Sequence, residues 1–524
     1  MIERLKTAIL TVLIVLSLLQ SYWLAYSMPG LKAVRTEIDY VNTEPMGLAQ
    51  QIENVIFPDS IVLHLGDEQH TVLYPPSNFY DLVFHKIQAV GFKGFTRYPV
   101  SSYDWYQIRE KKRGVELRFG GGVPVALLEK LMKLEGDLQF MGDRIERIWI
   151  YTDEDTGLVH AFLFSSDGRA VYEAVRTDLT EHDVEEYVGF GEFGTPYKAV
   201  GNIYVPELSI EAVQAVVGYE TYTPEQMQRS LFFDPGTTLA MKTLSGAEIV
   251  TDGKRGLQIE QSGNWVSYTN PAAPQTTENN TTDNVLASMQ FINDHGGWDG
   301  LNRYVPVKPA DDPSGEESRT VLFQQYYGAY PIVSDQVYKF GYMRLLLQQG
   351  VVTEYERSLM TLKGDAVSKS TRWLPGGDRL RSALDNMDRS TDIVALYPAV
   401  QVVPITKDSQ LSLVPVWAVR YADGSQSVVA GAMPEGYDGS AERRAWQEQA
   451  SAQKQQKQQQ QHQQQQQGSP VNPLSGTVGS GVGQTSGVTY SSGEIGDSGE
   501  NKTDNPNKAP VSGIMSFASQ TKVQ

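Results

Sequence analysis

Positions Ala8 to Tyr26 are almost uniformly apolar, whereas beyond Pro29 the apolar positions fall into short alternating or helically spaced runs divided by polar turns. The first pattern predicts one membrane helix. At about 1.5 Å per residue, the run reaches roughly 28 Å, close to the thickness of a bilayer's hydrocarbon core. Tyr22, Trp23 and Tyr26 stand where an aromatic belt belongs. Arg4, Lys6 and the α-amino group outweigh Glu3, which predicts a cytoplasmic N-terminus and an extracellular bulk after Met28. Cleavage is disfavoured: bulky residues from Tyr22 to Pro29 replace the small-residue pattern of a processing site, and the apolar stretch exceeds the core of about 7–15 residues found in signal peptides.

The alternating runs that follow predict an α+β exterior. Ile61–Leu65 and Thr71–Tyr74 read as strands around a Gly66-Asp67 turn, and Phe79, Leu82, Val83, Ile87 and Val90 have helical spacing. Gly114–Phe119 alternates as a half-buried strand, and Pro124 starts a helix running to about Leu134. Arg147–Tyr151 and Leu158–Phe164 flank the turn Asp153–Gly157, and Asp167-Gly168 leads into Ala170–Val175. Pro224–Phe233 is a helix followed by strands Ala247–Val250, Leu257–Ile259 and Trp265–Tyr268. Ala272–Asp283 is polar and reads as a linker. Helix then strands recur twice more, with helices at Asn284–His295 and Asp378–Met387. Strands are expected at Thr320–Phe323, Val337–Leu347, Ala399–Val403, Leu413–Arg420 and Ser427–Ala430.

With 524 residues and domains of about 150, the expected organisation is a cytoplasmic start and anchor at 1–30, an N-terminal α+β domain at 31–200 and a central helix-plus-antiparallel-sheet domain with linker at 201–282. A C-terminal α+β domain at 283–440 completes the folded exterior. From Ala441 the chain turns glutamine-rich and then Gly/Ser-rich, a composition that buries no core and predicts a disordered tail over 441–524.

Composition narrows the chemistry. The absence of cysteine removes disulfides, thiolate metal sites and cysteine nucleophiles. A formal charge of −18 argues against nucleic acid. Of seven histidines, His64 and His70 form the one close pair, read as flanking a solvated turn, since a metal would need a third ligand. His295, beside Asp294 and Asp299, reads as complementing a helix C-terminus before Gly296-Gly297. Asp153–Gly157 lacks the ligand spacing of a calcium loop, and Gly120-Gly121-Gly122-Val123-Pro124 is too short for a phosphate loop. Tyr326, Tyr327 and Tyr330 suit a packed core better than a binding groove. The expectation is therefore no catalytic residues, no cofactor and no metal. The anchor itself carries the best candidate: Thr7, Thr11, Ile14, Ser17, Leu18 and Ser21 share one helical sector, and hydroxyl and small residues gathered on one face serve helix association in lipid.

Several segments carry a family resemblance. Lys6–Leu19 is similar to the opening of the YycH (WalH) proteins of Gram-positive bacteria, and so is Gly114–Phe119 followed by Val123-Pro124. Leu231–Pro235, Thr251–Leu257 and Tyr268–Pro271 resemble that family in order and spacing, and Leu413–Trp417 with Asp423-Gly424 resembles the end of a domain shared with YycI. The resemblance runs from Ile2 to about Met433. It implies a non-enzymatic, single-pass accessory regulator acting with a YycI-like protein on the sensor histidine kinase YycG (WalK), mainly through transmembrane helix packing, in a cell-wall two-component system. The alternatives are an extracytoplasmic wall-binding or hydrolytic protein, and a scaffold whose soluble domains hold the partners.

Overall fold

A computed structural model describes residues 45–243, 247–271, 280–306, 319–334, 338–405, 409–449, 451 and 452, together with Arg4, Lys6, Leu10, Leu13, Leu16 and Ser17. The chain divides into Met1–Gln453 and Lys454–Gln524, and every described residue belongs to the first unit. The expected anchor falls mostly outside these residues, and so does the expected disordered tail beyond 452.

Among the described residues, ten strands build a first sheet: β1 Ser60–Gly66, β2 Gln69–Leu73, β3 Gly91–Pro99, β4 Arg113–Pro124, β5 Lys133–Glu135, β6 Arg144–Asp153, β7 Leu158–Ser165, β8 Ala170–Thr177, β9 Tyr197–Val200 and β10 Ile203–Pro206. Their order is β10-β9-β2-β1-β4-β6-β7-β8-β3-β5. Two-residue periodicity decides what each face does. Ile61 and Leu63 of β1, Val115, Leu117 and Phe119 of β4, and Ile148 and Ile150 of β6 enter one core. His64, Glu116, Arg118, Arg147 and Trp149 occupy the alternate positions of the same strands. Helix Asn78–Ala89 covers the core face with Tyr80, Val83, Phe84 and Ile87. The expected stripe was rotated: Phe79 and Leu82 are exposed, and Phe79 stacks on Phe190 instead. The helix expected from Pro124 to Leu134 stops at Leu131, because Lys133–Glu135 is taken up as the edge strand β5 beside β3.

The second sheet holds fourteen strands among the described residues: β11 Ile210–Thr221, β12 Leu239–Lys242, β13 Glu248–Thr251, β14 Gly256–Glu260, β15 Trp265–Thr269, β16 Asn302–Val305, β17 Thr320–Tyr327, β18 Tyr330–Val333, β19 Tyr342–Gln348, β20 Val351–Ser358, β21 Met360–Leu374, β22 Ile393–Ile405, β23 Gln410–Tyr421 and β24 Gln426–Gly431. β15 pairs with β20 from Trp265–Ser358 to Thr269–Glu354, so strands on either side of residues 272–279 lie edge to edge. β11 is clasped between β21 and β23, which joins residues 210–221 to the far end of the chain. The last residues read as linker are a helix start: the Asn280 side chain accepts from the Asp283 N–H at 3.2 Å and caps helix Thr281–Asp294. One apolar core runs from Val55 to Leu359, so the first sheet and much of the second share an interior. Residues 440–449 are helical. Glu442 holds this helix to the body by accepting from the Ser209 N–H at 3.3 Å.

Candidate functional site

Two buried clusters of charge lie along the junction of the sheets. The first grows from the β1–β2 hairpin. Asp67 and Glu68 take positive φ at its tip, and the resulting register sets His64 directly opposite His70. Both rings are buried, at 0% and 1% exposure, which corrects the reading of solvated turn residues. Their Nδ1 atoms are 3.1 Å apart. His70 Nε2 lies 3.3 Å from Glu110 Oε2, and His64 Nε2 lies 3.5 Å from Glu116 Oε2. Glu110 belongs to helix Trp105–Lys111 and also accepts from Arg109 Nε at 2.7 Å. Glu116 accepts from the Tyr204 hydroxyl at 2.8 Å, and Arg118 and Arg147 each stand 3.7 Å from its other oxygen. Burial opposes ionisation of Glu116 most strongly, yet Arg118, His64 and Arg147 outweigh it and hold the carboxyl below its usual range. For His70, burial first and charge on His64 second depress the ring to about 4, against the pull of Glu110.

The second cluster is a seam between distant parts of the chain. Asp59, just before β1, accepts from Arg420 Nη1 at 2.8 Å and from the Gly120 N–H at 3.2 Å. Arg303 Nη2 stands 3.8 Å from the same Asp59 oxygen. Burial is again the largest influence on Asp59 and opposes its charge, but Arg303 and Arg420 together carry its carboxyl below the usual range. The three-glycine run finds its role here. A Cβ on Gly120 would sit 2.3 Å from Arg420 Nη1 and 2.6 Å from Asp59 Oδ2, and one on Gly121, whose φ is +87°, would meet the Pro306 carbonyl oxygen at 2.8 Å. The glycines let β4 approach the second sheet at backbone distance. A cleft of about 90 Å³ opens beside them, lined by Asp59, Tyr74, Arg118, Arg147, Asn202 and Tyr204 among others.

Other expected positions resolve into structure. Thr156 and Gly157 both donate backbone N–H groups to the Asp153 carbonyl, closing the predicted hairpin turn. His295 caps its helix but does so uncharged: burial depresses the ring to about 4, and its Nδ1–H donates to the Ser230 carbonyl at 2.5 Å. It anchors one helix to the end of another and does not act as a cation on the dipole. Asp299 faces the buried Arg357 at 3.6 Å. Tyr326 is buried against Phe57, and Tyr327 and Tyr330 pack on a neighbouring core. Of the anchor face, Thr7, Thr11, Ile14, Leu18 and Ser21 lie outside the described residues; Ser17 is helical and exposed. Among the described residues, no helix is long and apolar enough to cross a membrane, and no three His, Cys, Asp or Glu residues are placed to hold a metal. Sequence reasoning did not connect Asp59, Arg303 and Arg420. The local signal nearest to them was the Gly120–Gly122 run.

Residues 3–188 match the family model described as YycH protein, N-terminal domain, and residues 202–434 match YycH protein, C-terminal domain. The chain is 19% identical over 443 residues to the two-component system WalR/WalK regulatory protein YycH of Bacillus subtilis strain 168, covering 80% of this chain and 94% of that protein. It shares its fold with the crystal structure of YycH from Bacillus subtilis at a TM-score of 0.60 and 15% identity, over 74% of this chain and 99% of the other. Matched across both halves, with the seam cluster joining them, the chain belongs to the YycH family.

Proposed function

We propose that this chain is a non-enzymatic regulator of a WalK-type sensor histidine kinase, anchored in the cell membrane by its N-terminal helix and acting with a YycI-like protein. The observation that carries the reading is the family match over both halves, together with a relative named as a regulatory protein of the WalR/WalK system. His64, His70, Glu116, Arg303 and Arg420 are each at most 2% exposed, which supports a structural role for these acids and bases. Leu10, Leu13 and Leu16 are 54–59% exposed on a helix, the exposure that lipid rather than protein would cover. The N-terminus lies in the cytoplasm and the sheets outside the cell. Association runs through the face formed by Thr7, Thr11, Ile14, Ser17, Leu18 and Ser21, and it biases the kinase by packing differently against its two signalling states.

The test replaces Thr7 to Tyr26 with an unrelated membrane helix and measures kinase-reporter output together with co-purification of the kinase and the YycI-like protein. Loss of both is expected. Retention of both would move the function to the exterior domains. Thr11→Leu with Ser17→Leu refines the test: association should weaken while membrane insertion is unchanged, and unaltered association removes this face.

A further inference from the structure

We propose that the cleft beside Gly120 and Gly121 binds a carboxylate, that of a small organic acid or of a peptide chain end, on Arg118 and Arg147. The two arginines line the cleft and stand directly opposite each other on β4 and β6. Like charges at facing positions of a sheet repel, so this pair calls for an anion. Glu116 answers only in part. One of its oxygens is 3.7 Å from Arg118 Nε and 3.7 Å from Arg147 Nη1, beyond hydrogen-bond reach, and the other accepts from Tyr204. Glu146 lies 3.3 Å from Arg147 Nε, yet that buried nitrogen has no hydrogen-bond partner among the described residues. Neither guanidinium donates a hydrogen bond among the described residues.

The charges around the cleft do not cancel. Among the described residues, the carboxylates of Asp59, Glu116 and Glu146 face the guanidiniums of Arg118, Arg147, Arg303 and Arg420, three negative charges against four positive, without counting His64. On a chain with a formal charge of −18, this local reversal draws an anion to one place. The arginines are also held ready for it. The Tyr204 ring supports Arg118 at 5.4 Å and the Phe164 ring supports Arg147 at 4.3 Å, contacts that fix the guanidiniums without using their N–H groups. Their side chains keep 18% and 25% exposure, which leaves those groups within reach of a ligand.

Shape selects among anions. A guanidinium presents a planar fork that matches the two oxygens of a carboxylate. Val72, Ile203, Val394 and Leu396 line the same cleft and suit an apolar body attached to that group, which inorganic phosphate lacks. The volume of about 90 Å³ is less than the roughly 150 Å³ that holds benzene, so it admits the carboxylate with a few carbons and leaves the rest of a longer molecule outside.

The experiment follows the arginine Nε–H signals of the full chain in detergent micelles by ¹⁵N–¹H correlation, while propionate, its neutral amide or inorganic phosphate is titrated in. Propionate is expected to shift the Arg118 and Arg147 signals saturably, with propionamide and phosphate each weaker by at least about tenfold, the worth of one charge-assisted hydrogen bond. N-acetyldiglycine and its C-terminal amide separate the two sources. A free acid that binds more tightly than propionate identifies a chain end as the ligand, and one that binds more weakly identifies the small acid. Arg147→Lys keeps the charge but removes the fork, and should weaken propionate by about tenfold. Where that variant fails to fold, Asn202→Asp serves: it adds a negative charge on an exposed residue lining the cleft, touches neither arginine and should weaken propionate severalfold. Equal binding of propionate and propionamide, or no saturable shift with any carboxylate, would overturn the proposal. So would phosphate binding as tightly as propionate, or an affinity for propionate that Asn202→Asp leaves unchanged.

Discussion

The two buried clusters use the same kinds of residue for different ends. The histidine cluster is built from strands of one sheet and the helix Trp105–Lys111 packed on it; hydrogen bonds run from Arg109 through Glu110 and His70 to His64, whose Nε2 faces, at 3.5 Å, the Glu116 carboxylate that accepts from Tyr204. The seam cluster joins residues as far apart as Asp59 and Arg420, 361 positions along the chain, and one carboxylate serves two buried guanidiniums. Within a sheet, backbone ladders hold the partners in place whatever their charge. Across the seam, the charge itself contributes to the placement. Removing one member of a buried pair costs more than the pair is worth, because the other is left uncompensated.

Asp59→Asn should therefore produce the largest loss, about 3–5 kcal/mol, read from urea unfolding of the full chain in detergent. A loss below about 1 kcal/mol would mean that Arg303 and Arg420 are balanced by something other than Asp59.

Acid separates the clusters next. His70 and His295 are both depressed to about 4. The unfolded chain takes up protons below about 6.5 that the folded chain refuses, so the stability these rings contribute is fully present above that pH and is lost as pH falls toward 4. His295→Gln, which keeps a donor for the Ser230 carbonyl, should flatten this acid slope by on the order of 3 kcal/mol between pH 7 and 4. Asp59 and Glu116 are held below the usual carboxylate range, so their contribution falls away only at lower pH. A wild-type midpoint that is level from pH 7 to 4 would contradict the neutral buried rings.

Gly120→Ala should cost about 1–3 kcal/mol, the usual penalty of overpacking, by driving Arg420 and Asp59 apart. If the methyl acts through that pair, Gly120→Ala and Asp59→Asn combined should cost less than the sum of their separate effects. Full additivity would mean that the methyl does not act through the Asp59–Arg420 pair.

These contrasts follow what a linear sequence can reveal. The alternation of Val115, Leu117 and Phe119 with Glu116 and Arg118 is plain in the sequence, and it yields both the strand and its two faces. The α+β class, the Asp153–Gly157 turn and the helix before β12 were legible for the same reason: each depends on residues a few positions apart. β21 was not. It runs fifteen residues from Met360 to Leu374 with most of its middle exposed, and it is held by pairing with β11 rather than by an apolar face. The pairing of His64 with His70 was visible as spacing, but its burial required β4, β6, β9 and β10 to close over it. Asp59, Arg303 and Arg420 carry no local pattern at all. Only the glycines that let them meet left a trace.

The smallest effects give the sharpest comparison, because one chemical change can be made in each cluster. Tyr204 donates its hydroxyl to the buried Glu116 at 2.8 Å. Tyr397 lies under the Arg420 guanidinium at 5.3 Å, and its buried hydroxyl has no hydrogen-bond partner among the described residues. Removing an oxygen that serves a charged group costs about 1.5–3 kcal/mol, whereas removing one that serves nothing is nearly neutral. Tyr204→Phe should therefore destabilise by that amount, and Tyr397→Phe should stay within about 0.5 kcal/mol of the wild type in either direction. A cavity of about 10 Å³, lined by Tyr397, Arg420, Asp59 and Tyr326, has room for roughly one water molecule. A bridging water there would give the Tyr397 hydroxyl a partner and raise the cost of Tyr397→Phe toward that of Tyr204→Phe. Equal losses would thus show that the seam is wet and hydrogen-bonded like the histidine cluster, and unequal losses that its cohesion rests on charge.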